Sequence, residues 1–140
     1  MCLQADKNRK AITYLRSEKA REATFTVWPF SSRQPCSIKK MAEAGFVFTG
    51  SYKDPDSVQC CFCTKQLNNW EANDEPWSEH LKHSPQCQFA LMQKPQDLWT
   101  VGELIKVIEE YCCNEVNRKY EELEAEAKEH YEKMREMIRS

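Results

Sequence analysis

The segments QCCFCTK, residues 59–65, and EHLKHSPQC, residues 79–87, decide the fold of this chain. They carry four candidate metal ligands in the spacing Cys-x2-Cys-x16-His-x6-Cys: Cys60, Cys63, His80 and Cys87. Three thiols and one imidazole complete the tetrahedral ligand set of a structural zinc site, which keeps no position open for water. The spacing therefore predicts one structural zinc ion, and it favours a recognition module over a metalloenzyme.

Spacing alone leaves the choice of histidine open. His83 competes with His80, but only three residues separate His83 from Cys87, so the spacing favours His80. Cys61 falls between two ligands and should point away from the metal. We expect the cysteines outside the quartet to be small buried side chains or free thiols: Cys2, Cys36, Cys61, Cys112 and Cys113.

Composition limits the class of protein. The 140 residues suffice for one domain and an extension, and the net charge of -2 gives no basic footprint for nucleic acid. Acidic side chains between residues 69 and 79 would also repel phosphates. No stretch approaches the ~20 apolar residues of a membrane span. Residues 1–10 are polar, so we expect no signal peptide and a reducing compartment, where cysteines bind metal rather than form disulfides.

The C-terminal region, residues 100–140, is predicted to be one long helix. Thr100 is its expected N-cap, Glu103 completes a capping box, and no proline or glycine follows Gly102. Apolar residues at steps of three and four define a helix-bundle face: Ile108, Cys112, Val116, Tyr120, Leu123, Ala127, Tyr131 and Met134. Others widen this face near its start: Leu104, Val107 and Tyr111. At about 55–60 Å the helix would exceed the preceding domain, so we expect partner helices rather than folding back.

The chain is predicted to contain four regions. They are an N-terminal segment with a short helix (residues 1–20), a compact zinc domain (21–92), a linker (93–99) and the long helix (100–140). In the compact domain we expect a helix over residues 37–44, capped by Ser37 and ended by Gly45, strands over 46–49, 58–61 and 65–69, and a helix from Pro76. So small a domain buries little core, and zinc, worth on the order of 10–16 kcal/mol of folding free energy, supplies much of its stability.

The compact domain resembles the baculoviral inhibitor-of-apoptosis repeat, or BIR domain. Besides the zinc spacing, the resemblance includes Arg21, Phe25, Trp28, Pro29, residues 41–46, Asp56, Val58, Leu67, Trp70, Asp74, Pro76, Trp77, Glu79, Pro85 and Phe89. It implies an α+β fold, in which a zinc-stabilised BIR domain with a three-stranded antiparallel sheet and short helices precedes one long C-terminal α-helix. It also implies that His80, not His83, is the ligand.

One BIR followed by one long helix is similar to the single-BIR members of this family. Their properties imply a non-enzymatic adaptor of the chromosomal passenger complex, which positions Aurora B kinase in mitosis. The long helix of such proteins bundles with borealin and the inner centromere protein. Their BIR reads the histone three N-terminus, beginning Ala-Arg with phosphothreonine third, or other Ala-starting peptides such as that of shugoshin. The implied location is nucleus and cytoplasm, with centromere, spindle midzone and midbody during division.

The resemblance also implies a peptide groove. Asp74 and Glu79 match positions that bind the peptide ammonium. Trp70 would form the wall of the pocket for the alanine methyl group. Lys65 and His83 match positions that contact the phosphate. The strand over residues 65–69 could pair with the peptide backbone. The predicted peptide-binding residues are Lys65, Leu67, Asn68, Trp70, Asp74, Glu79 and His83.

Several positions depart from the family pattern. Asn68 stands where a glutamate helps to hold basic side chains, and Asn69 replaces a glycine but tolerates left-handed backbone. Ser37-Ile38 replaces a Thr-Pro kinase site. Gln96 replaces an aromatic residue of the family's homodimer contact, whose predicted members here are Leu98, Val101 and Leu104.

The resemblance also carries an alternative function. BIR proteins include inhibitors of apoptosis that act on caspases or bind Ala-starting antagonist peptides. The chain has one BIR and no RING-type ligand set, so the adaptor is the favoured interpretation. A protease assay separates the two functions.

Overall fold

Short strands and helices surround the zinc-ligand spacing in the computed structural model, which describes residues 13–15 and 17–140. The helices are α1 (Glu18–Glu22), α2 (Ile38–Glu43), α3 (Pro76–His83), α4 (Gln88–Met92), a 3-10 turn (Gln96–Leu98) and α5 (Val101–Arg139). The strands are β1 (Phe46–Phe48), β2 (Val58–Cys60) and β3 (Gln66–Leu67). The expectations for Cys2 and for the polar segment 1–10 lie outside the described residues, as does most of the predicted N-terminal helix.

The strands form an antiparallel sheet in the order β1-β2-β3. Phe46 pairs with Cys60, and Val58 pairs with both Phe48 and Leu67, so β2 is central and β3 is an edge. The predicted α+β fold is confirmed. β3 is shorter than the predicted strand over residues 65–69, because Thr64 and Asn69 have positive φ values of 65° and 59° that end the extended backbone on either side.

Helix α2 ends in a turn that only glycine adopts easily. Gly45 has φ 90°, its N–H donates to Ala42, and β1 begins at the next residue. The predicted ending at Gly45 is therefore confirmed. The prediction of a Ser37 side-chain cap is wrong: Ser37 occupies the N-cap position, but its hydroxyl accepts no hydrogen bond there. Its carbonyl instead accepts from the N–H of Met41.

Aromatic side chains fill the space between the sheet and the helices. Phe46, Phe62 and Phe89 are fully buried, and the rings of Phe62 and Phe89 stack with centroids 4.2 Å apart. Trp70 meets the Phe46 ring edge-to-face at 5.6 Å. Each buried ring contributes about 1.5–3 kcal/mol of hydrophobic stabilisation, and the edge-to-face contact adds to this. This aromatic layer adjoins the zinc ligands.

The start of α5 is fixed to the zinc domain. Thr100 and Glu103 form the predicted capping box, and Lys94 pairs with Glu103 at 2.9 Å. Val107 is fully buried, and Trp99 packs on the Phe89 ring at 5.4 Å. Residues 93–99 are thus packed against the domain by a 3-10 turn and by Trp99.

The predicted apolar stripe of α5 divides into two faces. Val107 and Tyr111, which were expected to widen the stripe, pack in the core of the zinc domain, and Leu104, the third such residue, is half-buried. The bundle face remains exposed from Ile108 to Met134. Within the described residues, no helix is long and apolar enough to cross a membrane.

Candidate metal centre and adjoining groove

Three parts of the fold bring the predicted zinc ligands together. Cys60 is the last residue of β2, Cys63 lies in the following turn, and His80 is on α3. Cys87 is the N-cap of α4. The four ligand atoms all lie within 4.8 Å of one another, so the predicted quartet is confirmed. The metal site therefore joins the sheet to α3 and α4.

Hydrogen bonds orient the ligands. His80 Nδ1 lies 2.8 Å from the carbonyl of Ala44, to which it donates, and this leaves Nε2 facing Cys63 Sγ at 3.6 Å. A hydrogen bond of this kind fixes the tautomer that coordinates metal. The N–H groups of Phe62 and Cys63 donate to Cys60 Sγ at 3.3 and 3.4 Å. These donors favour a thiolate at Cys60.

The donor set fits zinc. Three cysteines and one histidine, all at mutual distances compatible with one ion, match a closed tetrahedral site. Burial raises the pKa of the Cys60 thiol well above its usual range, so a buried thiolate needs a cation beside it. Zinc supplies that charge, and the site is structural because every position is taken by protein.

Two neighbours of the quartet stay outside it. Cys61 Sγ points to the carbonyl of Tyr14, 3.8 Å away, and burial raises the pKa of Cys61 to about 12, so it remains a neutral thiol. His83 lies on the surface of α3, with Nε2 3.3 Å from a Glu79 carboxylate oxygen. Both placements agree with the sequence analysis.

An open cavity of about 370 Å³ lies between the end of the sheet and α3. Its lining residues are Leu67, Asn68, Asn69, Trp70, Glu71, Asp74, Glu79, Lys82 and His83. We call this cavity the groove. Six of the seven predicted peptide-binding residues line it; Lys65 does not, and lies exposed before β3. Sequence reasoning missed Lys82, although its position three residues after Glu79 places both on one helix face.

The acidic wall of the groove is held in place by local hydrogen bonds. Asp74 accepts from the N–H of Glu71 at 2.7 Å, and Asp56 accepts from the N–H of Trp70 at 3.0 Å. Trp70 is buried against the aromatic layer while still lining the groove. The groove thus places one edge of the Trp70 side chain beside carboxylates.

The groove also contains basic groups. Glu79 lies 3.5 Å from Lys82 and 3.3 Å from His83, so one carboxylate contacts two basic groups of α3. Glu71 and Asp74 line the same cavity. The groove therefore combines three carboxylates with two basic side chains.

A zinc centre that joins the sheet to α3 and α4, with a groove lined by carboxylates and Trp70 beside it, defines a zinc-stabilised domain. The family profile described as BIR, Inhibitor of Apoptosis domain, matches residues 21–91. The chain belongs to the BIR family.

Several relatives match over most of this chain. Baculoviral IAP repeat-containing protein 5 of mouse is 42% identical over 112 residues, covering 77% of this chain and 80% of the relative. The protein of the same name from guinea pig is 36% identical and covers 89% of this chain and 87% of the relative. These relatives are survivin, so the predicted resemblance to the single-BIR members of the family is confirmed. A crystal structure of DIAP1 BIR1 bound to a Grim peptide is 33% identical, with a TM-score of 0.45, and covers 54% of this chain and 71% of that one.

Proposed function

We propose that this chain is a non-enzymatic adaptor of the chromosomal passenger complex. Its groove binds the histone three N-terminus carrying phosphothreonine, and α5 bundles with helices of borealin and the inner centromere protein, which links it to Aurora B kinase. Its proposed location is nucleus and cytoplasm, with centromere, midzone and midbody during division. The observation that carries the proposal is the groove, where Trp70, Asp74 and Glu79 adjoin His83.

The acidic wall supports binding of a peptide N-terminus. A free ammonium beside an alanine methyl needs carboxylates next to an apolar surface, and Asp74 and Glu79 adjoin Trp70 in this way. Asn68, which replaces a glutamate of the family pattern, also lines the groove and lowers its negative charge. We expect basic side chains of the ligand to be held less strongly for that reason.

The basic side chains of the groove support binding of a phosphate. His83 and Lys82 both line the cavity, where their N–H groups can donate to phosphate oxygens. Lys65 is exposed and its long side chain is available from the other side of β3. The outer edge of β3 has no strand partner in the described residues, so its backbone is available for an extended peptide.

We expect an Ala-Arg-phosphothreonine peptide to bind more tightly than the same peptide without phosphate. His83→Ala should remove most of that preference, and Asp74→Asn should weaken both peptides by roughly tenfold or more, because a charge-assisted hydrogen bond is lost. Isothermal titration calorimetry of the native chain and the two variants, each with both peptides, measures all six combinations.

The matched control is Asp97→Asn, which changes an exposed carboxylate outside the groove. An N-acetylated peptide tests whether the free ammonium is needed. Equal affinity for modified and unmodified tails would remove phosphate reading from the proposal while leaving a plain Ala-peptide binder.

The exposed face of α5 supports bundling. Val116, Tyr120 and Leu123 are each more than 60% exposed, and they continue the apolar row from Ile108. The rest of the predicted face follows at Ala127, Tyr131 and Met134. Apolar rows of this length are normally covered by other helices. Leu98, Val101 and Leu104 are the proposed homodimer contact; Leu98 and Val101 are exposed, and Leu104 is half-buried.

We expect Val116→Glu combined with Leu123→Glu to abolish capture of borealin and inner centromere protein fragments. Two charges would then lie in a helix interface that would otherwise exclude water. Co-purification of the three chains measures this, and the thermal unfolding of the zinc domain should stay unchanged.

The control for this test is Glu121→Gln with Glu129→Gln, which changes two charged positions beside the row. Unchanged capture by the Val116 and Leu123 variant would contradict bundling through this face.

A second function, inhibition of apoptosis, is favoured by the family description itself. In that case the groove would bind Ala-starting antagonist peptides without regard to phosphate, or the chain would block a caspase. A caspase assay with the full chain, together with the peptide titrations above, distinguishes this function from that of a mitotic adaptor.

A further inference from the structure

Arg21 is a buried charge without a carboxylate partner. Its side chain is fully buried, and no ion pair joins it to a carboxylate among the described residues. Nε donates to the carbonyl of Ala42 at 2.8 Å, and Nη1 donates to Tyr14 and to Gln96. These three acceptors are neutral, and Nη2 has no hydrogen-bond partner in the described part of the chain. Neutral acceptors orient a guanidinium but do not neutralise it.

The surroundings of Arg21 lead towards the metal centre. Its Cζ lies 5.8 Å from the Phe62 ring centroid and 5.9 Å from that of Phe89. Phe62 lies between ligands Cys60 and Cys63, and the Phe89 ring is 6.2 Å from that of His80. The charge and the ligands are therefore separated by an aromatic layer instead of water, which screens their interaction weakly.

Few negative groups are near enough to compensate Arg21. The groups whose charges act most strongly on it are Cys61, Glu18 and Cys60. Cys61 Sγ donates to the carbonyl of Tyr14 at 3.8 Å, and Glu18 is one turn away on α1 without a direct ion pair. Burial lowers the pKa of Arg21, which reflects the cost of placing this charge in the interior. Arginine nevertheless stays protonated at neutral pH.

A zinc ion bound by three thiolates and one neutral imidazole carries one net negative charge. We propose that Arg21 is the counter-charge of this zinc centre and thereby a positioning residue for the metal, holding a single positive charge behind the aromatic layer of Phe62 and Phe89. The loaded centre and the guanidinium then neutralise one another inside the domain, and neither needs a carboxylate. Arg21 raises zinc affinity without touching the ion.

The test is a double-mutant cycle on zinc affinity in the full chain, measured by competition with a chromophoric chelator. Arg21→Met removes the charge, and Cys63→His converts the centre to a neutral Cys2His2 set at its half-buried position. We expect Arg21→Met to weaken zinc binding by at least roughly tenfold more in the native quartet than in the Cys63→His chain.

A core variant controls for packing. Met41→Ala removes a fully buried side chain without changing charge, and it should weaken zinc binding equally in both backgrounds. If Arg21→Met does not fold with the native quartet, Cys63→His should restore zinc binding to it. The proposal would be overturned if Arg21→Met lowered zinc affinity equally in the native quartet and in the Cys63→His chain. It would also be overturned if Cys63→His failed to restore zinc binding to an Arg21→Met chain that does not fold. Neither result depends on peptide binding or on helix partners.

Discussion

Removal of zinc by a chelator at neutral pH is expected to unfold the BIR domain, which the family profile matches over residues 21–91. The near-ultraviolet circular dichroism of its tryptophans should disappear, because the sheet, α3 and α4 are joined through the four ligands. Structural zinc contributes on the order of 10–16 kcal/mol of apparent folding free energy, which is comparable to the whole ~5–15 kcal/mol net stability of a typical domain. Far-ultraviolet helical signal from α5 should persist in part.

Point variants locate the effect at the ligands. Cys87→Ala should reproduce the loss of structure in the presence of zinc, whereas Cys112→Ala, at an exposed cysteine of α5, should behave like the native chain. Atomic absorption measures the zinc content of each. A zinc-free chain that kept its near-ultraviolet signal would show that the aromatic core alone holds the domain.

Gly45→Ala is expected to destabilise the domain by about 2–6 kcal/mol, the combined range for a strained backbone and an overpacked core. The new Cβ would lie 2.6 Å from Phe89 Cε1 and 3.3 Å from Phe62 Cδ2, and the residue has φ 90°. Both rings belong to the fully buried layer beside the zinc ligands, so neither can move aside freely. The Gly45 carbonyl also accepts from Cys61 N–H at 3.0 Å, so a shifted backbone would disturb the ligand turn.

Gly102 provides the control, because its surroundings leave room for a side chain. At Gly102, in the first turn of α5, an added Cβ meets nothing closer than 3.9 Å, so Gly102→Ala should be neutral or stabilise the helix by up to ~1 kcal/mol. Denaturant unfolding with excess zinc measures both variants. Equal midpoints would mean that the close approach at Gly45 carries no energetic cost.

The zinc centre and the long helix were predictable because their signals are local. Ligand spacing identifies Cys60, Cys63 and Cys87 directly, and the Thr100 capping box is read from two residues. Spacing alone favoured His80 over His83 as the zinc ligand only slightly, because both lie on α3. In the fold, His80 is distinguished by its burial and by its hydrogen bond to the carbonyl of Ala44.

Other features depend on tertiary contacts that no local pattern carries. Positive φ values at Thr64 and Asn69 limit the length of β3. The alternation of apolar and polar residues in a sequence does not predict such backbone angles. The separation of Val107 and Tyr111 from the bundle face depends on where the zinc domain meets α5. Likewise the inward position of Gln96, whose Nε2 donates to the Leu15 carbonyl at 2.6 Å, follows from its contacts with the N-terminal residues and the guanidinium.

The anchoring of α5 has a consequence for avidity. Trp99, Val107 and the Lys94–Glu103 pair leave no loose hinge between the groove and the helix, and 39 helical residues extend about 58 Å from that anchor. A ligand in the groove and a partner on the far turns are therefore held at a set separation, without the spread of distances that a flexible tether gives. When both are attached to one larger assembly, the second attachment occurs at an effective concentration that depends on whether the assembly matches this span. Assemblies whose two attachment points are separated by the length of the helix would therefore be retained. Other assemblies would be released at the rate of the weaker contact.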